Sequence, residues 1–277
     1  MSFGMSAQKT PKGLIGIFDS SSGGLTVLKS VQALLPMYSY LYYADTAHAP
    51  YGPRSQADIR ELTERAVRRM FALGCEIVIL ACNTASATAL RDIQQRVLPT
   101  EFPVRRVLGV IVPTIEVVTE HPHERVGVIA TESTVNSHVY NIELKKRNPT
   151  LEIIEHAAPE LASLIEKKEM DLATAQLQEA VTALESSGCH TIVLGCTHYA
   201  LIKERITHVD NATVIISQDD IIPTRLKEYL ERHHAFAQTL AHDASVSFHL
   251  TALHEFTEER IRDWFPAGTV TFERPTD

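Results

Sequence analysis

The chain has 277 residues, of which 44% are hydrophobic, 22% charged and 6% aromatic. That composition suits a folded globular protein with a sizeable core, built as one large domain or as two lobes. The formal net charge of −8 argues against non-specific attraction to nucleic acid or to an anionic membrane surface.

Residues 1–13 are polar, carry Lys9 and Lys12, and show no signal-peptide pattern, so they read as a short disordered leader. No apolar run approaches the roughly 20 residues of a bilayer-spanning helix. A cytoplasmic protein with reduced thiols is expected. Its four cysteines then read as packing residues, metal ligands or catalytic thiols rather than as disulfides.

Strand and helix alternate along the chain. Residues 14–18 form a short apolar strand, followed by the loop Asp19-Ser-Ser-Ser-Gly-Gly24 and a helix from 25 to about 35. A second strand is expected over 38–43. Over 56–73 a helical spacing sets Leu62, Ala66, Met70 and Leu73 on one face. Strand 77–80, helix 86–97 and strand 104–110 follow. The plan then repeats with strand 125–129, a helix near 135–147 and strand 152–154. Helices near 161–167 and 172–186, strand 191–194, helix 199–206 and strand 213–216 come next. The tail reads as helix 224–233, strand 246–251 and helix 257–264. Short strands that are apolar on both faces and separated by helices imply an α/β fold with mainly parallel sheets.

An internal repeat carries more information than any single element. Gly74-Cys-Glu-Ile-Val-Ile-Leu-Ala-Cys82 aligns without a gap on Gly188-Cys-His-Thr-Ile-Val-Leu-Gly-Cys196. A weaker match pairs Ile15-Gly-Ile-Phe18 with Val126-Gly-Val-Ile129. The expected architecture is therefore two pseudo-symmetric lobes, each a mainly parallel sheet flanked by helices, with the active site in the cleft between them. The first lobe would comprise 14–107 plus 222–277, and the second 108–221.

Cys82 and Cys196 each follow a strand and precede an expected helix. Ligands of open α/β sheets bind beyond the carboxyl ends of the strands. A thiol there lies near a helix N-terminus, whose partial positive charge favours thiolate. Asn83-Thr84 follows one cysteine and Thr197-His198 the other, company that a packing cysteine does not need. Cys75 and Cys189 open their strands at the far end and read as packing residues. Neither repeat has the C-x-x-C spacing of a metal site, so no metal is expected. His198 also suits a cap or a packing position. Two equivalent thiols facing each other across a cleft suit α-proton exchange, with one acting as base and the other as acid.

The loop from Asp19 to Gly24 reads as a ligand-binding turn or a helix cap, and it lacks a phosphate-binding glycine motif. Ala49-Pro-Tyr-Gly52 is a turn signal. Thr131-Glu-Ser-Thr134 mirrors the Asp19 loop in the second half, and capping alone would explain it. These loops are rich in neutral donors, which suits a small carboxylate substrate better than a polyphosphate.

These motifs resemble the aspartate/glutamate racemase superfamily. The residues that carry the resemblance are Phe18-Asp-Ser20 with Gly23-Gly24-Leu25-Thr26-Val27, Asp45-Thr46, Pro50-Tyr-Gly52 with Arg54-Ser55, and Ala81-Cys-Asn-Thr84. They continue with Gly109-Val-Ile111 and Pro113, Val126-Gly-Val-Ile129 with Thr131, and Leu194-Gly-Cys-Thr-His-Tyr199. The Pro-Tyr-Gly turn and the Gly-Cys-Thr-His-Tyr run point more narrowly to glutamate racemases.

The resemblance implies a reaction without pyridoxal phosphate or any other cofactor, with Cys82 and Cys196 as the acid/base thiols and Asp19 and His198 as their polar partners. It implies that Ser20, Tyr51, Gly52, Asn83, Thr84 and Thr197 hold the substrate, joined by Thr131 and Thr134, and that Glu166 supports the histidine. It further implies L- and D-glutamate as substrate and product, peptidoglycan synthesis, a cytoplasmic homodimer, and no nucleic-acid or membrane partner. An aspartate racemase, or a silent amino-acid-binding regulator of the same fold, is the alternative. Four places depart from the pattern. Ser21-Ser22 replace Gly-Val, with strain expected if residue 21 needs a positive φ. His48 replaces arginine, Ala158 replaces cysteine, and Glu160-Leu-Ala162 replaces an apolar run.

Overall fold

The computed structural model describes residues 13–120, 124–207 and 213–272. The expected leader thus lies outside the described residues, except for Gly13. The chain runs β1 (Leu14–Asp19), α1 (Leu25–Leu34), β2 (Tyr40–Ala44), α2 (Gln56–Ala72), β3 (Cys75–Leu80), α3 (Asn83–Asp92), a π-helical turn (Ile93–Val97), α4 (Leu98–Glu101), β4 (Arg106–Gly109) and α5 (Ile111–Thr119). It continues with β5 (Arg125–Ala130), α6 (Glu132–Asn136), α7 (Val139–Arg147), β6 (Glu152–Ala157), α8 (Leu161–Glu166), α9 (Met170–Ser186), β7 (Thr191–Gly195) and β8 (Val214–Ile216). The last elements are α10 (Gln218–Arg232), α11 (His234–Ala237), β9 (Val246–Leu250), α12 (Glu255–Trp264) and β10 (Thr269–Phe272).

Two parallel sheets result. One has the order β10-β9-β2-β1-β3-β4 and the other β6-β5-β7-β8. The four strands β2-β1-β3-β4 of the first sheet repeat the order of the second, with β1 equivalent to β5 and β3 to β7. The two sequence repeats are these strand pairs. Phe18 pairs with Leu80 in one sheet, and Ile129 with Leu194 in the other. Each cysteine stands two positions beyond its member of that pair, so the fold places both thiols at the same level of equivalent strands. The repeat's glycines end the preceding helices. Gly74 follows α2 at φ 99° and Gly188 follows α9 at φ 82°, a left-handed stop that glycine adopts without a Cβ penalty.

The strands are buried on both faces because helices cover both sides. β1 and β7 have no exposed residue, which is why they read as continuous apolar runs. Helix α2 starts where Ser55 accepts the Asp58 N–H at 3.1 Å, and its buried stripe includes Ile59, Leu62, Ala66, Val67 and Met70. Removing Ile59, Leu62, Val67 or Met70 from water contributes about 1.5–3 kcal/mol each.

Several elements differ from expectation. The segment 199–206 is two 3₁₀ turns, Tyr199–Leu201 and Lys203–Arg205, and not an α-helix. Its buried residues Tyr199 and Ile202 recur at the i, i+3 spacing that a 3₁₀ turn aligns. The helix expected over 135–147 is broken at His138, which adopts φ 52° between α6 and α7. The helix expected to begin at 86 starts at Asn83, directly after Cys82. Helix α10 begins at Gln218, ahead of 224, and keeps Pro223 inside. Helices α4, α5 and α11 and strand β10 had no expected counterpart.

Candidate active site

A cavity of about 260 Å³ lies at the carboxyl ends of the strands and is lined from both halves of the molecule, with Cys82 and Cys196 both in its wall. Each thiol is nearly buried. Cys82 occupies the N-cap position of α3 at φ −60°, ψ 117°, because β3 ends two residues earlier and the chain turns directly into the helix. Ser20 Oγ lies 3.7 Å from its sulfur. Burial, seconded by the Asp19 charge, pushes the Cys82 thiol up to about 12, against the opposing pull of the Ala85 N–H and Ser20. The helix N-terminus therefore acts as expected in sign but is outweighed by desolvation. Burial thus favours the protonated form of Cys82. On the other side, Cys196 is followed by a 3₁₀ turn, so it lacks the α-helical N-terminus expected of it.

Cys196 has a different neighbour. His198 Nδ1 lies 3.7 Å from its sulfur, and His198 Nε2 lies 2.5 Å from Glu166 Oε1. Burial disfavours the His198 charge, but Glu166 and contact with Cys196 overcome that and raise its proton affinity well above the usual histidine range. Burial likewise opposes the Glu166 charge. The His198 charge and hydrogen bond, with one from Ser22, outweigh it and bring Glu166 down to about 2. Histidine and carboxylate thus favour each other's charged forms, side by side with Cys196.

A family model for Asp/Glu/hydantoin racemases matches residues 15–219. A glutamate racemase of Ruegeria pomeroyi is 42% identical over 233 residues, which cover 79% of this chain and 86% of the relative. The chain belongs to the Asp/Glu/hydantoin racemase family. Among solved structures, a glutamate racemase isoform of Bacillus anthracis superposes with a TM-score of 0.83 at 28% identity, covering 95% of this chain and 97% of that one. A Francisella tularensis glutamate racemase in complex with D-glutamate gives 0.82 at 26% identity, covering 96% and 98%.

Within this racemase fold, Ser20, Tyr51, Gly52, Asn83, Thr84, Thr131, Thr197, His198 and Glu166 all line the cavity. Asp19 and Thr134 do not. Asp19 is fully buried behind the wall, where it accepts from the Ser21 N–H at 3.0 Å and from Thr197 Oγ1 at 2.9 Å. It caps no helix, since the N-cap of α1 is Gly24. Thr134 is buried beneath Thr131 and Thr84, whose hydroxyls lie 3.0 and 3.3 Å away, and Thr84 meets Thr131 at 2.9 Å. Thr131 also caps α6 through the Thr134 N–H, so this residue both caps a helix and lines the cavity.

Two residues present less to a ligand than their type suggests. The Tyr51 hydroxyl donates to Asp45 Oδ2 at 2.7 Å, so its proton is not free for a ligand. Asn83 donates to Gln218 Oε1 at 3.1 Å and accepts from the Tyr140 hydroxyl at 2.7 Å. One of its amide N–H donors remains for a ligand. Glu166, expected only behind His198, also forms part of the wall.

Ser21, Thr46, Ala49 and Pro50, from loops that the sequence singled out, line the cavity too, as do Ala162, Ser163, Lys167 and His254, which were not foreseen there. His254 arrives from the segment before α12, which no local pattern connects with the cysteines. The departures from the racemase pattern are absorbed locally. Ser21 is not among the non-glycine residues with positive φ, which are His138, Lys168 and Ala244 among the described residues, so the strain expected of it is absent. His48 Nδ1 lies 2.8 Å from Asp45 Oδ1, on the carboxylate that holds Tyr51. Ala158 is buried, and its carbonyl accepts from the Tyr199 hydroxyl at 3.1 Å.

Proposed function

We propose that the chain is a glutamate racemase that interconverts L- and D-glutamate by two-base proton transfer between Cys82 and Cys196. The observation that carries this reading is the placement of two thiols, one from each of two equivalent strands, in the wall of one cavity. The names of the relatives and of the superposed structures support glutamate as the substrate.

Racemisation breaks the Cα–H bond on one face and forms it on the other. One cysteine, as thiolate, takes the α-proton. The electron pair stays on the α-carbon and is delocalised into the α-carboxylate. The opposite thiol then gives its proton to the other face and becomes the thiolate. Protons and charge balance without a redox step, and no cofactor or metal takes part.

Each thiol has its own support. Ser20 and Asp19 stand by Cys82, and the His198–Glu166 pair stands by Cys196. The carboxylates of glutamate find neutral donors in Ser20, Asn83, Thr84 and Thr131, and in the backbone N–H of Thr197, whose hydroxyl is committed to Asp19; these compensate a desolvated anion without adding a competing base. In this reading the halves 14–107 plus 222–277 and 108–221 act as two lobes. The enzyme works in a bacterial cytoplasm as a homodimer and supplies D-glutamate for peptidoglycan. Among the described residues no helix is long and apolar enough to cross a membrane.

The test is proton NMR of L-glutamate with the protein in D2O, followed together with optical rotation and repeated with D-glutamate and L-aspartate. Loss of the α-proton signal with decay of rotation to zero is expected for glutamate, and activity should survive dialysis against EDTA and treatment with hydroxylamine. Exchange with aspartate alone would change the substrate. No exchange with any of them would leave a binding protein.

A further inference from the structure

We propose that Ser22 is a positioning residue for the Cys196 side of the site, acting across the cavity through Glu166 and His198 and having no counterpart on the Cys82 side. Ser22 is fully buried in the loop between β1 and α1. Its hydroxyl donates to Glu166 Oε1 at 2.8 Å, and its N–H reaches the same oxygen at 3.3 Å. That oxygen also receives His198 Nε2. The other oxygen, Oε2, is buried without a hydrogen bond and faces His254 Nδ1 at 3.7 Å.

The hydrogen bonds from Ser22 and His198 therefore all fall on Oε1, and the Ser21 hydroxyl also bears on this carboxylate. Of the two that Ser22 supplies, its hydroxyl makes the shorter. A donor on a charged acceptor is among the stronger hydrogen bonds, and without it the carboxylate is free to rotate away from the imidazole. Glu166 is carried by α8 in the half that contains β5–β8, whereas Ser22 belongs to the half that contains β1. The line from Ser22 through Glu166 and His198 to Cys196 thus bridges the two halves.

The charged and titratable groups around Glu166 and His198 are Cys196, Asp19 at the end of β1, Tyr42 on β2, His254, and Arg260 on α12. Cys82 is met instead by Ser20, the Ala85 N–H and the Asp19 charge. None of these three hydrogen-bonds to Glu166. The backbone at 22 has no positive φ and would accept other residues, so the hydroxyl is what distinguishes serine there.

The meaning for proton transfer rests on the racemase reading, but the test does not. Ser22→Val and Ser22→Thr have matched shapes and differ in the hydroxyl. Site-resolved alkylation of Cys82 and Cys196 by iodoacetamide, read by peptide mass spectrometry from about pH 6 to about pH 9, follows each thiol without turnover. Ser22→Val should change the Cys196 rate at neutral pH by about threefold or more, leave the Cys82 rate alone, and be rescued by Ser22→Thr. If the branched side chains unfold the chain, Ser22→Ala gives the same comparison with wild type. In D2O, Ser22→Val should also raise deuterium uptake without inversion for one enantiomer only, because return to the face served by Cys82 is unaffected. Equal changes at both thiols, or none at either, would overturn the proposal. A wild type that exchanges neither enantiomer would defeat the racemase reading and leave the alkylation result to decide the role of Ser22.

Discussion

Thr197 Oγ1 donates to Asp19 Oδ2 at 2.9 Å, so the residue after the second cysteine is tied to the last residue of the first strand. The bond joins the two halves directly behind the cavity wall. It also places a carboxylate near both thiol environments, since Asp19 raises Cys82 and interacts with His198. Burial raises the proton affinity of Asp19 itself, opposed by His198, the Ser21 N–H and Thr197.

Asp19→Asn keeps an acceptor for Thr197 and removes the charge. The Cys82 thiol should then titrate below about 12, because its second-largest upward push is gone. Racemisation should fall about 10- to 100-fold from altered acid–base matching. Thiol titration of the variant checks the first effect, and an unmoved Cys82 would refute it.

Cys82→Ala and Cys196→Ala should each abolish racemisation, with losses of at least 10²–10⁴-fold, while the fold survives. Both residues sit at the edge of the cavity, and neither removal opens a large void. Circular dichroism and the deuterium-exchange assay check this together. Near-normal turnover in either variant would remove the two-base mechanism.

Glu166→Gln should cost stability on the order of 3 kcal/mol at neutral pH, from a carboxyl held at about 2 instead of its ordinary 4.5. The folded state here binds its proton more weakly than the unfolded chain. The contribution is therefore fully present above about pH 4.5 and is lost as pH falls through about 2. Urea unfolding should show the deficit of the variant narrowing over that acid window. A deficit independent of pH would point to packing instead of charge.

Gly23→Ala should lower kcat by about 10²-fold, on the scale that a small misplacement costs. A Cβ at Gly23 would lie 2.4 Å from Thr197 Oγ1 and 2.7 Å from His198 Nδ1, both on the Cys196 side. Steady-state kinetics beside a melting curve separates a misplaced His198 from a weakened fold.

What was legible in the sequence follows from where the physics is local. Strands β1, β3, β5 and β7 are buried on both faces, so their apolar runs stand out. The glycines that end α2 and α9, with the cysteines at the strand ends, make the repeat visible. Helix α5 was not legible because it packs between the halves and carries apolar residues outside its buried face of Ile111, Ile115 and Val118, Val112 being exposed, so the buried period does not stand out. Its Pro113 also reads as a breaker, although the first turn of a helix has no intrahelical N–H bond to lose. The Tyr199–Arg205 segment kept an apolar spacing but not the helix type. In the site, the cysteines and their polar followers were readable from adjacency. His254, Lys167 and Ser163 were not, because they reach the cavity through tertiary packing. The withdrawal of the Asp19 side chain from the wall was equally hidden, since only the packed structure shows which loop residues face inward.

The pairing of β2 with β9, Tyr40 opposite Val246, sets an order on biosynthesis. Strand β9 joins the first sheet only after every strand of the second has been made. A nascent chain leaving the ribosome can therefore complete the β5–β8 sheet while the older one still waits for its outer strands. Non-local strand pairing of this kind forms slowly, so the half translated first is the half finished last. The cavity wall, which needs His254, matures only after that late docking.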